Sequence, residues 1–347
     1  MKVIHAALAL MVAAILLGGC GGEDEATADK RLECPRKTAA ETPGKQSQRP
    51  RRVWISLHRN AGPEVVGILM AEKRGYFDDV GIELTATVGY RPAAALEYVQ
   101  DESIEFGLAQ QPQVVMARDK GAPVVAVGGL ISRPTAAMIW LKKSKIEEIA
   151  DLEGKTIAFP GLSSQEAFLE SILAEAGLTL EDVELRRVDY DLVPALVSGR
   201  ADAIFGGSWN VDGVALEARG LEPVITRVES LGIPAYEELV VVARDDRVAR
   251  DPRLIRDFMS AVALGTAAAI EDPEEAARIA DESGEADRAL GRKATKAGVE
   301  ATLPLLAEAG CMDPDQATDL IDWMHEEGQI KRELPASAVL NNRYVTP

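Results

Sequence analysis

From Val53 onward the chain alternates short apolar runs with stretches of helical periodicity, and few architectures accept that alternation. Residues 53–57, 82–88, 106–109, 124–127, 138–141, 156–159, 184–188, 203–205 and 239–243 read as strands. Between them, residues 64–74, 93–99, 113–120, 165–176 and 193–198 set apolar side chains at helical spacing, and Gly75 and Gly121 stop two of these runs. Beyond Asp251-Pro252 the pattern is mainly helical to about residue 329. Repeated strand–helix–strand units predict α/β layers with largely parallel sheets. A chain of 347 residues is too long for one ordinary core, so two lobes of roughly 100–150 residues are expected.

Ahead of this body, Lys2 precedes an apolar run over residues 3–17, broken only by His5, and Leu17-Gly18-Gly19-Cys20 follows. The run is shorter than the ~20 residues of a membrane-spanning helix. A charged start, an apolar centre and a small-residue exit mark an export signal. The ending resembles the bacterial lipoprotein signal, which implies that residues 1–19 are removed and Cys20 is acylated. Two acyl chains on one residue anchor a protein stably where one does not. Residues 20–52 are polar, charged and nearly free of large apolar groups, so they are expected to form a flexible tether.

The formal charge is −18, and losing residues 1–19 removes only the positive charge of Lys2. Such an acidic surface argues against nucleic acid as a partner and against adhesion to anionic lipid. Cys34 and Cys311 either pair in an oxidising compartment or remain two thiols; the sequence gives no distance between them. With His5, His58 and His325 as the histidines and no CxxC, no metal site is expected, and no cofactor motif is present.

In open α/β sheets ligands lie beyond the carboxyl ends of strands, beside helix starts. Here those exits carry His58-Arg59-Asn60-Ala61-Gly62, Gln110-Gln111-Pro112-Gln113, Gly161-Leu162-Ser163-Ser164 and Gly206-Gly207-Ser208-Trp209-Asn210-Val211-Asp212-Gly213. The loop Gly161–Ser163–Ser164 offers backbone N–H groups and hydroxyls to an anion or carbonyl, or serves as its own helix cap. Trp209, Asn210 and Asp212 offer an aromatic face, an amide and a carboxylate, which suits a flat nitrogen heterocycle; the other reading is a packed indole and a capping carboxylate. Tyr236, after Gly232-Ile233-Pro234-Ala235, is either a ligand contact or core. No GxSxG, HExxH, phosphate-binding or GxGxxG motif occurs, and no catalytic residues are assigned.

Taken together, several stretches resemble type II periplasmic solute-binding proteins of ABC importers. They are Ala71-Glu72-Lys73-Arg74-Gly75-Tyr76-Phe77, Phe106-Gly107-Leu108-Ala109, Met138-Ile139-Trp140-Leu141, Asp151-Leu152-Glu153-Gly154-Lys155-Thr156-Ile157 and Ala201-Asp202-Ala203-Ile204. Trp209-Asn210-Val211-Asp212-Gly213 with Gly232-Ile233-Pro234-Ala235-Tyr236-Glu237-Glu238 is similar to the branch that binds thiamine pyrimidine precursors, which is related to alkanesulfonate, taurine and nitrate binders. That branch usually has Glu at the position of Asp212, His at that of Asn60, and an aromatic residue near Gln111. The resemblance implies a two-lobed fold with a ligand cleft, lobe one being residues 53–138 plus 240–347 and lobe two residues 139–239. It implies a monomeric, non-enzymatic lipoprotein that presents a small molecule to a permease and its ATPase from the outer face of the cytoplasmic membrane. The expected ligand contacts are Asn60, Gln111, Gly161, Ser163, Ser164, Trp209, Asn210, Asp212 and Tyr236. The alternative ligand is a small anion held by the Gly161–Ser164 loop with Arg59 or Arg133. A pyrimidine-synthase-like enzyme of the same superfamily is the remote alternative; those synthases carry a cysteine-rich motif that this chain lacks.

Overall fold

Ten strands divide into two five-stranded sheets, and the chain passes from one to the other twice. The computed structural model describes residues 30–35, 50–59, 61–89, 91–283, 291–307 and 310–345. The expected export signal, Cys20 and Asn60 lie outside the described residues. The first sheet has the order β2-β1-β3-β10-β4, built from β1 (Arg51–Leu57), β2 (Ile82–Val88), β3 (Phe106–Ala109), β4 (Val124–Ile131) and β10 (Leu239–Arg244). The second has the order β7-β6-β8-β5-β9, built from β5 (Ala136–Leu141), β6 (Thr156–Phe159), β7 (Glu184–Arg187), β8 (Ala203–Ser208) and β9 (Pro223–Arg227).

The sheets are mixed rather than largely parallel. β1 pairs in parallel with β2 and β3, and β6 with β7 and β8. β10 runs against β3 and β4, and β5 against β8 and β9. The reversed strand in each sheet is the one that has just crossed over from the other half, so it enters the sheet against its neighbours. β5 starts at Ala136, so the boundary expected between residues 138 and 139 falls inside a strand. β9 was not read from the sequence; its five residues are at best half-buried and carry no continuous apolar signal.

The helices that matter for the site are α1 (Val66–Lys73), α2 (Gln111–Asp119), α3 (Ser163–Glu175), α4 (Pro252–Glu271), α5 (Gly291–Thr302) and α6 (Pro314–Glu326). β4 and β5 are buried along their whole length, as expected of apolar strands covered on both faces. In the first half Phe106 of β3 stacks on Phe258 of α4 with centroids 4.1 Å apart. A second cluster gathers Trp140, Phe168, Phe205 and Tyr236. Among the described residues no helix is long and apolar enough to cross a membrane.

Residues 30–35, expected to belong to a loose tether, lie against the body. Cys34 is disulfide-bonded to Cys311 with Cα atoms 6.0 Å apart. The Asn342 side chain donates to the Leu32 carbonyl at 3.0 Å, and Leu32 packs on the second core cluster. A covalent link and one apolar anchor thus hold a segment whose composition alone would leave it free.

Candidate functional site

His58 and Arg59 leave the end of β1, and Glu64 sits in the short 3-10 turn Pro63–Val65 that leads into α1. Ser208 ends β8, and one turn of π-helix, Trp209–Gly213, follows it. That turn folds Asp212 back so that its carboxylate accepts the Ser208 backbone N–H at 2.7 Å. The two halves meet here. Ser208 Oγ donates to Glu64 Oε1 at 2.8 Å. Arg59 lies between the carboxylates, with Nη2 3.5 Å from Asp212 and Nη1 3.7 Å from Glu64. His58 Nε2 is 3.5 Å from Glu64. Tyr190, beyond β7, closes the group: its ring centroid is 5.4 Å from the Arg59 guanidinium and 6.2 Å from the His58 ring.

Glu64 and Asp212 are 7% and 5% exposed, so their charges are strongly felt. Burial alone would raise the Glu64 pKa, but the His58 hydrogen bond, the Arg59 charge and Ser208 outweigh it and draw it down to about 2. Burial alone would lower that of Arg59, yet the charges of Asp212 and Glu64 hold it above its ordinary value. Two carboxylates therefore share one permanent cation.

A second set of carboxylates holds the crossovers. Glu238, just before β10, accepts backbone N–H groups of Thr135 at 2.7 Å and Ala136 at 3.3 Å, and also the Gln110 side chain. Thr135 in turn reaches Ser208 Oγ at 3.3 Å, and its carbonyl accepts the Trp209 N–H at 2.9 Å. Glu237 exchanges hydrogen bonds with Gln111: its N–H donates to Gln111 Oε1, and its carbonyl accepts the Gln111 N–H, both at 3.1 Å. Burial pushes Glu237 up to about 8 and Glu238 up to about 7, with hydrogen bonds from Asp313 and Thr135 opposing it in each case.

These shifts predict a pH slope. The unfolded chain releases both protons near 4.5, whereas the folded chain keeps them to about 7 and 8. Their stabilising contribution is full below 4.5 and lost as pH rises through those folded values. Glu64 acts oppositely, contributing above 4.5 and losing its contribution as pH falls toward 2. Glu238→Gln keeps an acceptor for Thr135 and removes one titration. It should gain on the order of 3 kcal/mol over the parent at pH 8 and less than about 1 kcal/mol at pH 5. Urea melts at pH 5, 6, 7 and 8 measure this, and parallel curves for parent and variant would refute it.

Of the residues singled out in the sequence, Asp212 stands in the cross-sheet cluster. Trp209 lies beside it, half-buried, with the Arg227 guanidinium 3.9 Å above its ring. Asn210 is fully buried and donates to Thr302 of α5 at 2.7 Å. Tyr236 is 1% exposed, with its ring 5.8 Å from Phe168. Gln111 is occupied at the crossover. Gly161 has φ +85°, and a Cβ there would meet the Arg187 side chain at 2.4 Å. Ser163 is exposed and Ser164 buried in the first turn of α3. Arg133 donates to Gln316 of α6 at 3.0 Å. Sequence reasoning passed over Glu64, Ser208 and Tyr190 as site residues. An acidic residue directly after Gly62-Pro63, at a helix start on a strand exit, was the available signal for Glu64.

A family model described as NMT1/THI5 like matches residues 62–276. A relative from Haemophilus influenzae, provisionally named for thiamine biosynthesis, is 29% identical over 82% of this chain and 89% of its own. A formylaminopyrimidine-binding protein from Halalkalibacterium halodurans is 29% identical over 61% of this chain and 64% of its own. A 4-amino-5-hydroxymethyl-2-methylpyrimidine phosphate synthase from Schizosaccharomyces pombe is 25% identical over 64% and 66%. Among solved structures, the alkanesulfonate-binding protein SsuA from Xanthomonas axonopodis pv. citri, bound to MOPS, superimposes with a TM-score of 0.67 at 18% identity, over 84% of this chain and 99% of its own. That likeness is one of fold, the α/β periplasmic-binding-protein fold.

Proposed function

Because the chain belongs to the NMT1/THI5-like family, we propose that it is an extracytoplasmic solute-binding lipoprotein that captures an aminopyrimidine of the thiamine-precursor class. It hands the ligand to an ABC permease driven by its ATPase, and is itself non-catalytic. Relatives named for formylaminopyrimidine binding and thiamine biosynthesis support the ligand class. The observation that carries the reading is the cluster of Glu64, Asp212 and Arg59 at the exits of β1 and β8. Two buried carboxylates against one guanidinium favour a ligand with N–H donors or positive charge. A sulfonate would add a third anion there, which disfavours the anion alternative at this spot and leaves it only the start of α3. Some relatives are named synthases, but an export signal and a membrane anchor at Cys20 suit capture rather than synthesis.

The test is a thermal-shift screen of the full chain carrying Cys20→Ala, which prevents acylation. The probes are 4-amino-5-hydroxymethyl-2-methylpyrimidine, a formylaminopyrimidine, ethanesulfonate, taurine and nitrate. A ligand at 100 times its Kd adds about 2.7 kcal/mol to stability, an easily read shift. A shift with the pyrimidines is expected. A shift with sulfonates alone would overturn the ligand assignment.

A further inference from the structure

A guanidinium is a flat cation with N–H donors along its edges, and the amidine edge of an aminopyrimidine presents the same N–C–N pattern, with the same donors and charge once its ring nitrogen has taken a proton. In this structure Arg59 brings that shape to a place framed from both halves: Asp212 on one edge, Glu64 on another, the Tyr190 ring near its face. The fit is loose. Its contacts of 3.5 and 3.7 Å are well beyond the ~2.8 Å of a tight charged hydrogen bond, and neither carboxylate takes a bidentate fork. Each carboxylate is already held in place without Arg59, Asp212 by the Ser208 N–H and Glu64 by the Ser208 hydroxyl. In the same turn Asn210 keeps its Oδ1 buried with no partner among the described residues. The frame is thus preorganised, while the cation in it is poorly matched.

We infer that Arg59 is a resident stand-in: it fills a subsite for a flat amidinium edge, and a ligand bearing that edge binds by displacing it. For the ligand's identity this rests on the aminopyrimidine reading; for the subsite it does not. Arg59 then sets specificity. Apolar or anionic molecules cannot replace the charge it supplies to Glu64 and Asp212, so they cannot enter at that point. It also lowers affinity, because every binding event must first move it.

Arg59→Ala empties the subsite, and acetamidinium chloride at millimolar concentration should refill it. The variant's melting temperature should rise by several degrees with acetamidinium, and not with tetramethylammonium, which has charge but no N–H donors. The parent should respond to neither. Asp212→Asn in the Arg59→Ala background should abolish the response. The same Arg59→Ala protein should bind 4-amino-5-hydroxymethyl-2-methylpyrimidine at least tenfold tighter than the parent. Should two unpaired carboxylates prevent folding, Arg59→Ala with Glu64→Gln removes one charge of each sign and keeps Asp212 for the same measurement. A folded variant indifferent to acetamidinium overturns the subsite. Refilling by acetamidinium with no pyrimidine bound by any form upholds the subsite and overturns the aminopyrimidine reading. Loss of pyrimidine binding in Arg59→Ala, restored by Arg59→Lys, overturns displacement, since Arg59 would then hold the ligand itself.

Discussion

Asp212→Asn should weaken aminopyrimidine binding by roughly 100-fold and shift the melting temperature of the free protein by no more than a few degrees. The two effects separate because the two carboxylate oxygens do different things. Oδ2 accepts the Ser208 N–H at 2.7 Å, and the amide oxygen of asparagine accepts the same bond. Among the described residues Oδ1 has the distant Arg59 as its one partner, and Arg59 keeps Glu64. The fold therefore loses little. A ligand cation or amino edge loses a buried charge-assisted bond, on the order of 2–3 kcal/mol, which is about two powers of ten in Kd. Isothermal titration with 4-amino-5-hydroxymethyl-2-methylpyrimidine reads the change. Affinity within threefold of the parent would remove Asp212 from the ligand contacts. The side chain is one methylene shorter than the Glu usual in the resembling branch, so Asp212→Glu tests reach separately and should alter which pyrimidine is preferred.

Much of the fold was legible because it is written locally. Strands such as 82–88 alternate, strands such as 124–127 are continuously apolar, and glycines stop the helices between them. Pairing direction is not local. Nothing within Leu239–Arg244 says that it runs against both neighbours; that follows from where the chain has been before it enters the sheet. The same holds for Cys34 and Cys311, which are 277 residues apart in sequence. The site was legible by position more than by identity. Strand exits are where the structure gathers Arg59, Ser208 and Asp212. Tyr236 and Asn210 show the limit: an aromatic ring or an amide in a loop looks the same whether it meets a ligand or neighbouring side chains. Here Tyr236 lies against Phe168 and Asn210 against Thr302. Glu64 lies in a stretch that reads as helix, and His58 and Arg59 beside it, with Ser208 arriving from the other sheet, give its carboxylate a role in the cluster.

Crossovers and site are parts of one network. Glu238 fixes Thr135 and Ala136 where the chain first crosses, and Thr135 touches Ser208, which holds both Glu64 and Asp212. A hinge motion that opened the halves would have to break the Ser208–Glu64 bond and the Arg59–Asp212 pair. A ligand that bridges Glu64 and Asp212 would oppose such opening directly.

Gly265→Ala should be the most damaging single-methyl change outside the site. Gly265 lies in the middle of α4, where alanine would ordinarily favour the helix by about 1 kcal/mol. Here a Cβ would stand 2.1 Å from the Gly67 carbonyl oxygen and 2.6 Å from the Ala71 nitrogen, both in the backbone of α1. No rotamer relieves a clash with backbone, so the helices must separate. Overpacking of this kind outweighs the helix preference and leaves a net loss of about 3 kcal/mol, seen as a fall of about 5–10 °C in melting temperature. Leu264→Ala, one residue away and 45% exposed, is the control and should be near neutral. A melting temperature unchanged in Gly265→Ala would mean that the helices do not approach this closely. The consequence reaches the site, because α1 begins at Val66, two residues after Glu64. Pushing α1 outward by even ~1 Å carries Glu64 from its 2.8 Å bond with Ser208 to beyond hydrogen-bonding range. Gly265→Ala should therefore lose pyrimidine affinity as well as stability, and a double variant with Glu64→Gln should lose no further affinity, because the carboxylate will already have left the frame.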